Sequence, residues 1–109
     1  MKKENRIRKN EEFSSIINKK HSLASASFVL YYDDKKEEEA RAGISVSKKL
    51  GNAVSRNRIK RQVREMIRAL IDFKEYDKDI IVIVRRPYLN KDYYANKNDL
   101  EILIKKAII

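Results

Sequence analysis

KKLGNAVSRNRIKRQVREMIR, Lys48 to Arg68, is the stretch on which the reading of this chain turns. Eight of its residues are basic (Lys48, Lys49, Arg56, Arg58, Lys60, Arg61, Arg64, Arg68) and one, Glu65, is acidic, so this fifth of the chain carries +7 of a formal +10. At about 100° per residue, Asn57, Arg61, Arg64 and Arg68 fall within about 60° of one another and form one stripe along a helix. Ile59, Val63, Met66, Ile67 and Leu70 fall on the opposite side, which predicts an amphipathic helix fixed to a core by its apolar face. Asn52, after Gly51, and Ser55 are the two candidate N-caps, and the helix is expected to end near Ile71. Acids are scarcely interleaved, so i,i+4 pairing does not explain the basic face. Arginine outnumbers lysine five to three in the stretch, and its planar fork suits phosphate.

Outward from this helix, 109 residues make one domain with one core, residues 1–109. The absence of cysteine excludes disulfides, thiolate metal sites and cysteine nucleophiles. The basic start, MKKENRIRKN, is followed by no apolar signal region, and the aliphatic run Ile80–Val84 is too short to span a bilayer. The chain therefore reads as cytoplasmic, with no membrane partner, and a basic domain of this kind points to nucleic acid.

Residues 1–9 form a basic arm (Lys2, Lys3, Arg6, Arg8, Lys9) that is expected to be loosely ordered. Asn10, before Glu11 and Glu12, suits an N-cap, and Phe13, Ile16 and Ile17 give a short helix ending near Lys20. His21, the only histidine, reads as a surface residue. Ser25–Tyr32 and Ala40–Ser47 alternate and read as strands, joined by the charged loop Asp33–Glu39 as a hairpin. Ala42, Ile44 and Val46 point to one face, expected to pack on helices. The other face carries Val29 and Tyr31 beside Gly43, Ser45 and Ser47. These neighbours are too small to build a core, so the face is either ordinary solvent-facing sheet or a shallow groove holding one aromatic; composition does not separate the two.

After the polar linker Asp72–Lys78, Asp79 precedes IIVIV, a β-branched run that reads as a buried central strand stopped by Arg85-Arg86-Pro87. Residues 88–95 read as a tyrosine-bearing loop. Leu100, Leu103, Ile104, Ala107 and Ile108 predict a last amphipathic helix, capped by Asn98. Helix, strands, basic helix, strand and helix together predict an α+β sandwich with helices on one or both sides of a small sheet. No metalloprotease, nucleophile-elbow or phosphate-loop motif occurs, so the sequence reads as a binder and not as a free-standing enzyme. Nothing resembles a helix-turn-helix pair, so DNA is not expected.

GISVSKKLGNAVSRNRIKRQVRE, with its Arg56-Asn57-Arg58 core, closely resembles the signature of the bacterial ribonuclease P protein subunit. RIRKNEEF, FVLYY, DIIVIVRRP and the final helix follow in that family's order. The resemblance implies a two-layer α/β sandwich with about four strands in a mixed sheet, three helices and a left-handed βαβ crossover. It also implies a protein subunit of a tRNA 5′-processing endoribonuclease whose catalytic RNA performs the Mg2+-dependent removal of the precursor tRNA leader. By position, Arg56, Asn57, Lys60, Arg61 and Arg64 match the family's residues near the catalytic RNA, while Lys48, Lys49, Arg58 and Arg68 extend the basic surface. Phe13, Val29, Tyr31 and Ser45 match the cleft where the leader lies, and no residue of the protein matches a catalytic or metal-binding position. Ile17 stands where the family commonly has a second aromatic, and His21 where it has a glycine. The alternative reading is a structural RNA-binding protein, such as a ribosomal protein or RNA chaperone.

Overall fold

The computed structural model describes residues 1–109. Its elements run α1 Asn10–Asn18, β1 Ser22–Ala24, β2 Phe28–Asp34, β3 Ala42–Ser45, α2 Ala53–Leu70, β4 Lys78–Val84 and α3 Tyr93–Lys106. Three short 3-10 turns, at Lys3–Asn5, Lys48–Leu50 and Arg86–Asn90, connect them. The four strands form one mixed sheet in the order β1-β2-β4-β3. β2 runs antiparallel to β1 and β4, and β3 runs parallel to β4. β3, α2 and β4 are therefore a βαβ unit, and the basic helix is its crossover.

The IIVIV run is the central strand, as its unbroken β-branched character predicts, with Ile80, Ile81, Val82 and Val84 all buried. Its pleat divides the core in two. Ile80, Val82 and Val84 join Phe28, Leu30 and Ala42 beneath Ile59, Val63, Met66 and Ile67 of α2 and Leu100, Leu103 and Ile104 of α3. Each of these Val, Leu, Ile, Phe and Met side chains, fully buried, contributes about 1.5–3 kcal/mol. Ile81 instead packs on the opposite face with Ile16 of α1 and Ile7 of the amino-terminal arm. The sheet with α2 and α3 makes the two main layers, and α1 lies across part of the outer face.

Several expectations are corrected. The strands around the Asp33–Glu39 loop are not a hairpin, because β4 lies between β2 and β3. Alternation reports which face a residue takes and is silent about which strand is its neighbour. The alternating run starting at Ser25 is interrupted: Ser25 accepts a hydrogen bond at Oγ from Phe28 N (3.1 Å), and its own N donates to Phe28 O (2.8 Å). That turn creates β1 before β2. The face bearing Gly43 does build a core, a small one, because Phe13 on α1 supplies the bulk that glycine lacks. Asn10 is the first residue of α1 and not its cap. α3 begins a full turn before Asn98, capped by Asp92, whose Oδ1 accepts from Ala95 N at 2.8 Å. Apolar periodicity missed that first turn, which is made of tyrosines and polar residues. α1 stops at Asn18, two residues ahead of Lys20, whose φ of 62° ends the helical backbone.

The basic arm is ordered by specific bonds. Asn5 is buried, and its Nδ2 donates to Ala40 O at 2.9 Å. Ile7 N donates to Ala42 O at 2.9 Å, and Arg6 pairs with Ala42 as a parallel bridge on the free edge of β3. α1 is tied to the sheet by charge as well as packing. Arg41 bonds Glu12 of α1 and reaches the fully buried Asp79 at 3.2 Å, and Asp79 also accepts from Arg41 N at 2.9 Å. Burial pulls the Arg41 guanidinium down, but its bonds to Glu12 and Asp79 outweigh that, and the net shift is upward.

Candidate nucleic-acid interface

α2 is positioned at its start by a sharp turn. Gly51, at φ 149°, takes a backbone that an L side chain rarely adopts. Asn52, the first of the two candidate caps, accepts from Ser55 N at 2.9 Å. Ser47 Oγ accepts from Lys49 N at 3.2 Å, which holds the 3-10 turn carrying Lys48 and Lys49, both exposed. The apolar face then locks the helix rotation, with Ile59, Val63, Met66 and Ile67 buried. Asn57, Arg61 and Arg68 consequently face outward, while Arg64 is half-buried beside them.

The nine basic-surface residues expected from sequence do not form one uniform row. Arg56 is half-buried and folds back, its Nε donating to Gly51 O at 3.2 Å, so part of its role is to brace the turn. Arg58 takes the other flank, sharing a concavity with Gln62, Tyr88, Leu89 and Lys91. Lys60 and Arg64 take the flank facing β3, where they share a concavity with Arg6, Arg8, Gly43 and Ile44. Arg61 and Arg68 join Arg6, Arg64 and Glu65 around an adjacent hollow. Arg6 and Arg8 are thus part of the basic surface and not of a loosely ordered arm. The alternation of Asn5 and Ile7 with Arg6 and Arg8 was the available signal.

None of Lys48, Lys49, Arg56, Arg58, Lys60, Arg61, Arg64 or Arg68 forms an ion pair; the five ion pairs of the protein all lie elsewhere. The Arg64 guanidinium is held below its ordinary value, first by burial and then by the charges of Arg6, Arg61 and Arg8. Such a surface is built to meet negative charge supplied from outside.

Of the four cleft residues, Val29, Tyr31 and Ser45 lie on the outer sheet face, and Phe13 reaches it from α1. Val29 pairs with Ile83, and Ile83 with Ser45, so the three form one row across the sheet; Tyr31, Ile81 and Gly43 form the next. α1 covers the second row through Phe13 and Ile17, both half-buried against the small core. Tyr31 is also half-buried against that core, less open than its small neighbours suggested. Val29, Ile83 and Ser45 are half-buried and sit beyond the edge of the second row. Of the tyrosines that open α3, Tyr93 packs on the main core and Tyr94 is 77% exposed. No helix is long and apolar enough to cross a membrane.

A small α+β protein with an unpaired basic crossover helix falls in the class of polyanion-binding proteins. The sequence matches the model of the Ribonuclease P family over residues 1–108. The chain belongs to that family. It is 43% identical over its full length to the ribonuclease P protein component of Bacillus pumilus, 92% of which is covered. With that of Bacillus mycoides it shares 45% identity, covering 98% of this chain and 94% of the relative. Among solved structures, a Staphylococcus aureus RNase P protein superposes with a TM-score of 0.82 at 45% identity, covering 94% of both chains. A mutant of the S. aureus protein with defective mRNA degradation activity gives a TM-score of 0.85 at 45% identity over 96% of this chain and 89% of that one. The RNase P protein of Thermotoga maritima gives 0.79 at 30% identity, covering 93% of this chain and 96% of that one.

Proposed function

We propose that this chain is the RNA-binding protein subunit of a ribonuclease P holoenzyme that removes the 5′ leader of precursor tRNA. α2 binds the catalytic RNA through Arg58, Lys60, Arg61, Arg64 and Arg68, with Asn57 in the same stripe and Lys48 and Lys49 at its start. Arg56 holds the turn that aims them. The leader lies along the outer sheet face, on the Val29–Ile83–Ser45 row, against Tyr31 and the wall made by Phe13. The observation that carries this reading is that all eight cations between Lys48 and Arg68 are without an acidic partner, six of them on a helix whose other face is core. Arginine and lysine so placed neutralise phosphates and release their counterions.

No three His, Cys, Asp or Glu side chains come together in the protein. In this reading Mg2+ is the cofactor of the RNA subunit, and the protein's part is to bind and orient two RNAs. Family membership favours this reading over a ribosomal protein or RNA chaperone. The test is to identify the RNA that co-purifies with the tagged protein from its own cells. One large structured species that cleaves precursor tRNA with Mg2+, and does so at lower Mg2+ when the protein is added, is the expected result. Ribosomal RNA in its place would mean that the alternative is correct.

A further inference from the structure

The outer sheet face is built of successive rows, and α1 is anchored on two of them. Val29, Ile83 and Ser45 form one row, and Tyr31, Ile81 and Gly43 the next. One pleat further on, Asp33 pairs with Asp79. Arg41 lies beside them, two residues before Gly43, its O accepting from Ile80 N at 3.0 Å. Residues two apart along a strand share a face, so Arg41 and Asp79 belong to the same face as Ser45 and Ile83. α1 meets the middle row through Phe13, over Gly43, and the third row through Glu12, bonded to Arg41. The Val29–Ile83–Ser45 row lies beyond both anchors and is half-buried.

The two anchors differ in kind. The apolar one is small, with Ile7, Ile16 and Ile81 as its buried members, and apolar contact is non-directional. α1 has little else to hold it. It is nine residues long, Lys9 at its N-cap makes no side-chain cap bond, and a helix so short is marginal alone. Its other side-chain tie to the sheet side, Lys36 Nζ donating to Ser15 Oγ at 3.3 Å, is exposed. Arg41 supplies the direction. Its Nη1 donates to Glu12 and its Nη2 to Asp79 Oδ2 at 3.2 Å, while Arg41 N donates to Asp79 Oδ1 at 2.9 Å. Asp79 is fully buried, so its charge requires this partner, and the guanidinium cannot follow α1 without abandoning it. Glu12 pairs with no other cation. A slide of α1 by one pleat, about 6–7 Å, would carry Phe13 off Gly43 and onto the neighbouring row.

We propose that Arg41 is a positioning residue for leader recognition: by clamping Glu12 of α1 to the buried Asp79 of β4, it fixes the wall of the cleft where the Val29–Ile83–Ser45 row stays open. The positioning role rests on the leader reading above; the clamp itself does not. Two readouts are taken on Glu12→Ala and on Glu11→Ala, which removes an equal charge from the same turn but no ion pair. In the full-length protein alone, hydrogen exchange of the α1 amides is expected to quicken by about tenfold in Glu12→Ala and by less than about twofold in Glu11→Ala, with α2 and α3 unchanged in both. In the reconstituted holoenzyme, a wall correctly placed only about a fifth of the time lowers apparent affinity about fivefold. Leader-bearing precursor tRNA is therefore expected to bind Glu12→Ala about fivefold more weakly, with mature tRNA within about twofold of the unsubstituted protein. Unchanged α1 exchange, or equal effects of the two variants, would overturn the clamp. Faster exchange with leader binding intact would overturn the positioning role. Tyr31→Ala, measured beside them, separates that failure from failure of the leader reading. If it too spares the preference for leader-bearing tRNA, the leader lies elsewhere and the positioning role falls with it.

Discussion

Phe13 lies over the backbone of Gly43, so closely that a Cβ at Gly43 would stand 2.7 Å from Phe13 Cζ and 2.9 Å from Ile81 Cδ1. The glycine is required by this approach of α1 to β3, because its backbone angles are ones any residue adopts. Gly43→Ala is expected to push α1 off the sheet and cost about 1–3 kcal/mol, as overpacking does. Urea unfolding would measure it. A loss below about 0.5 kcal/mol, the level of an ordinary surface change, would mean that Phe13 swings away freely and that α1 is not held by this contact.

Arg61 and Arg85 distinguish a directed basic surface from bulk charge. Arg61 is exposed on the outer face of α2 and pairs with nothing. Arg85, at the end of β4, donates from Nη1 to Ser25 O at 2.7 Å and so braces the β1–β2 turn. Arg61→Ala is expected to weaken binding to the ribonuclease P RNA and lower the salt slope by about one unit or somewhat less. It should leave unfolding free energy within about 0.5 kcal/mol. Arg85→Ala should do the reverse, costing about 0.5–1.5 kcal/mol of stability with little effect on RNA. Equal losses of affinity would show that only total charge matters.

Alkaline pH offers a check on the core beneath α2 and α3. Tyr76 donates to Ile104 O at 2.7 Å and Tyr88 to Gln62 Oε1 at 2.8 Å. Burial pushes the Tyr88 phenol up to about 12, with Tyr93 adding to it. Burial, aided by Asp77, also raises Tyr76 strongly. Both folded values exceed the unfolded one, near 10. The stability these phenols contribute is therefore complete below about pH 10 and is lost as pH rises toward about 12. Cooperative unfolding in that window is expected, together with late appearance of the tyrosinate absorbance of Tyr76 and Tyr88. Ionisation of Tyr76 and Tyr88 near pH 10, with circular dichroism unchanged, would contradict their burial.

These elements differ in how far the sequence disclosed them. β4 was readable because a strand buried on both faces needs no polar alternate positions, and IIVIV has none. The orientation of α2 was readable because its apolar and basic residues separate at helical spacing. The insertion of β4 between β2 and β3 was not, since register with a distant strand leaves no local mark. The docking of the arm depends on Asn5 reaching Ala40, thirty-five residues away, and such a bond has no sequence signature. The small core under α1 was hidden for the opposite reason: Gly43 looked like a hole in a sheet face, and only the fold supplies Phe13 to fill it. For the interface, the consequence is that the basic surface was legible along α2 but not across to Arg6 and Arg8.

The sheet face proposed to carry the leader is open to one further test. Tyr31, Ile81 and Gly43 form a row across β2, β4 and β3, and α1 shields it through Phe13 and Ile17. Tyr31 is half-buried in this arrangement, with part of its ring serving the small core and the remainder open to a ligand on the Val29–Ile83–Ser45 row. One base stacked on an aromatic side chain contributes about 1–3 kcal/mol. Tyr31→Ala is therefore expected to weaken binding of leader-bearing precursor tRNA to the reconstituted holoenzyme by about tenfold, or ~1.4 kcal/mol. It will also cost some stability, so the decisive quantity is a difference: mature tRNA, which lacks the leader, should bind almost unchanged to the same preparation. Phe13→Ala is a less clean probe, because Phe13 closes the core over Gly43. Ser45→Ala, which leaves that core intact, is the complementary variant and should alter leader binding by less than about threefold, as expected for one weak hydrogen bond. If Tyr31→Ala reduces the affinities for leader-bearing and mature tRNA equally, Tyr31 supports the fold alone and the leader runs elsewhere.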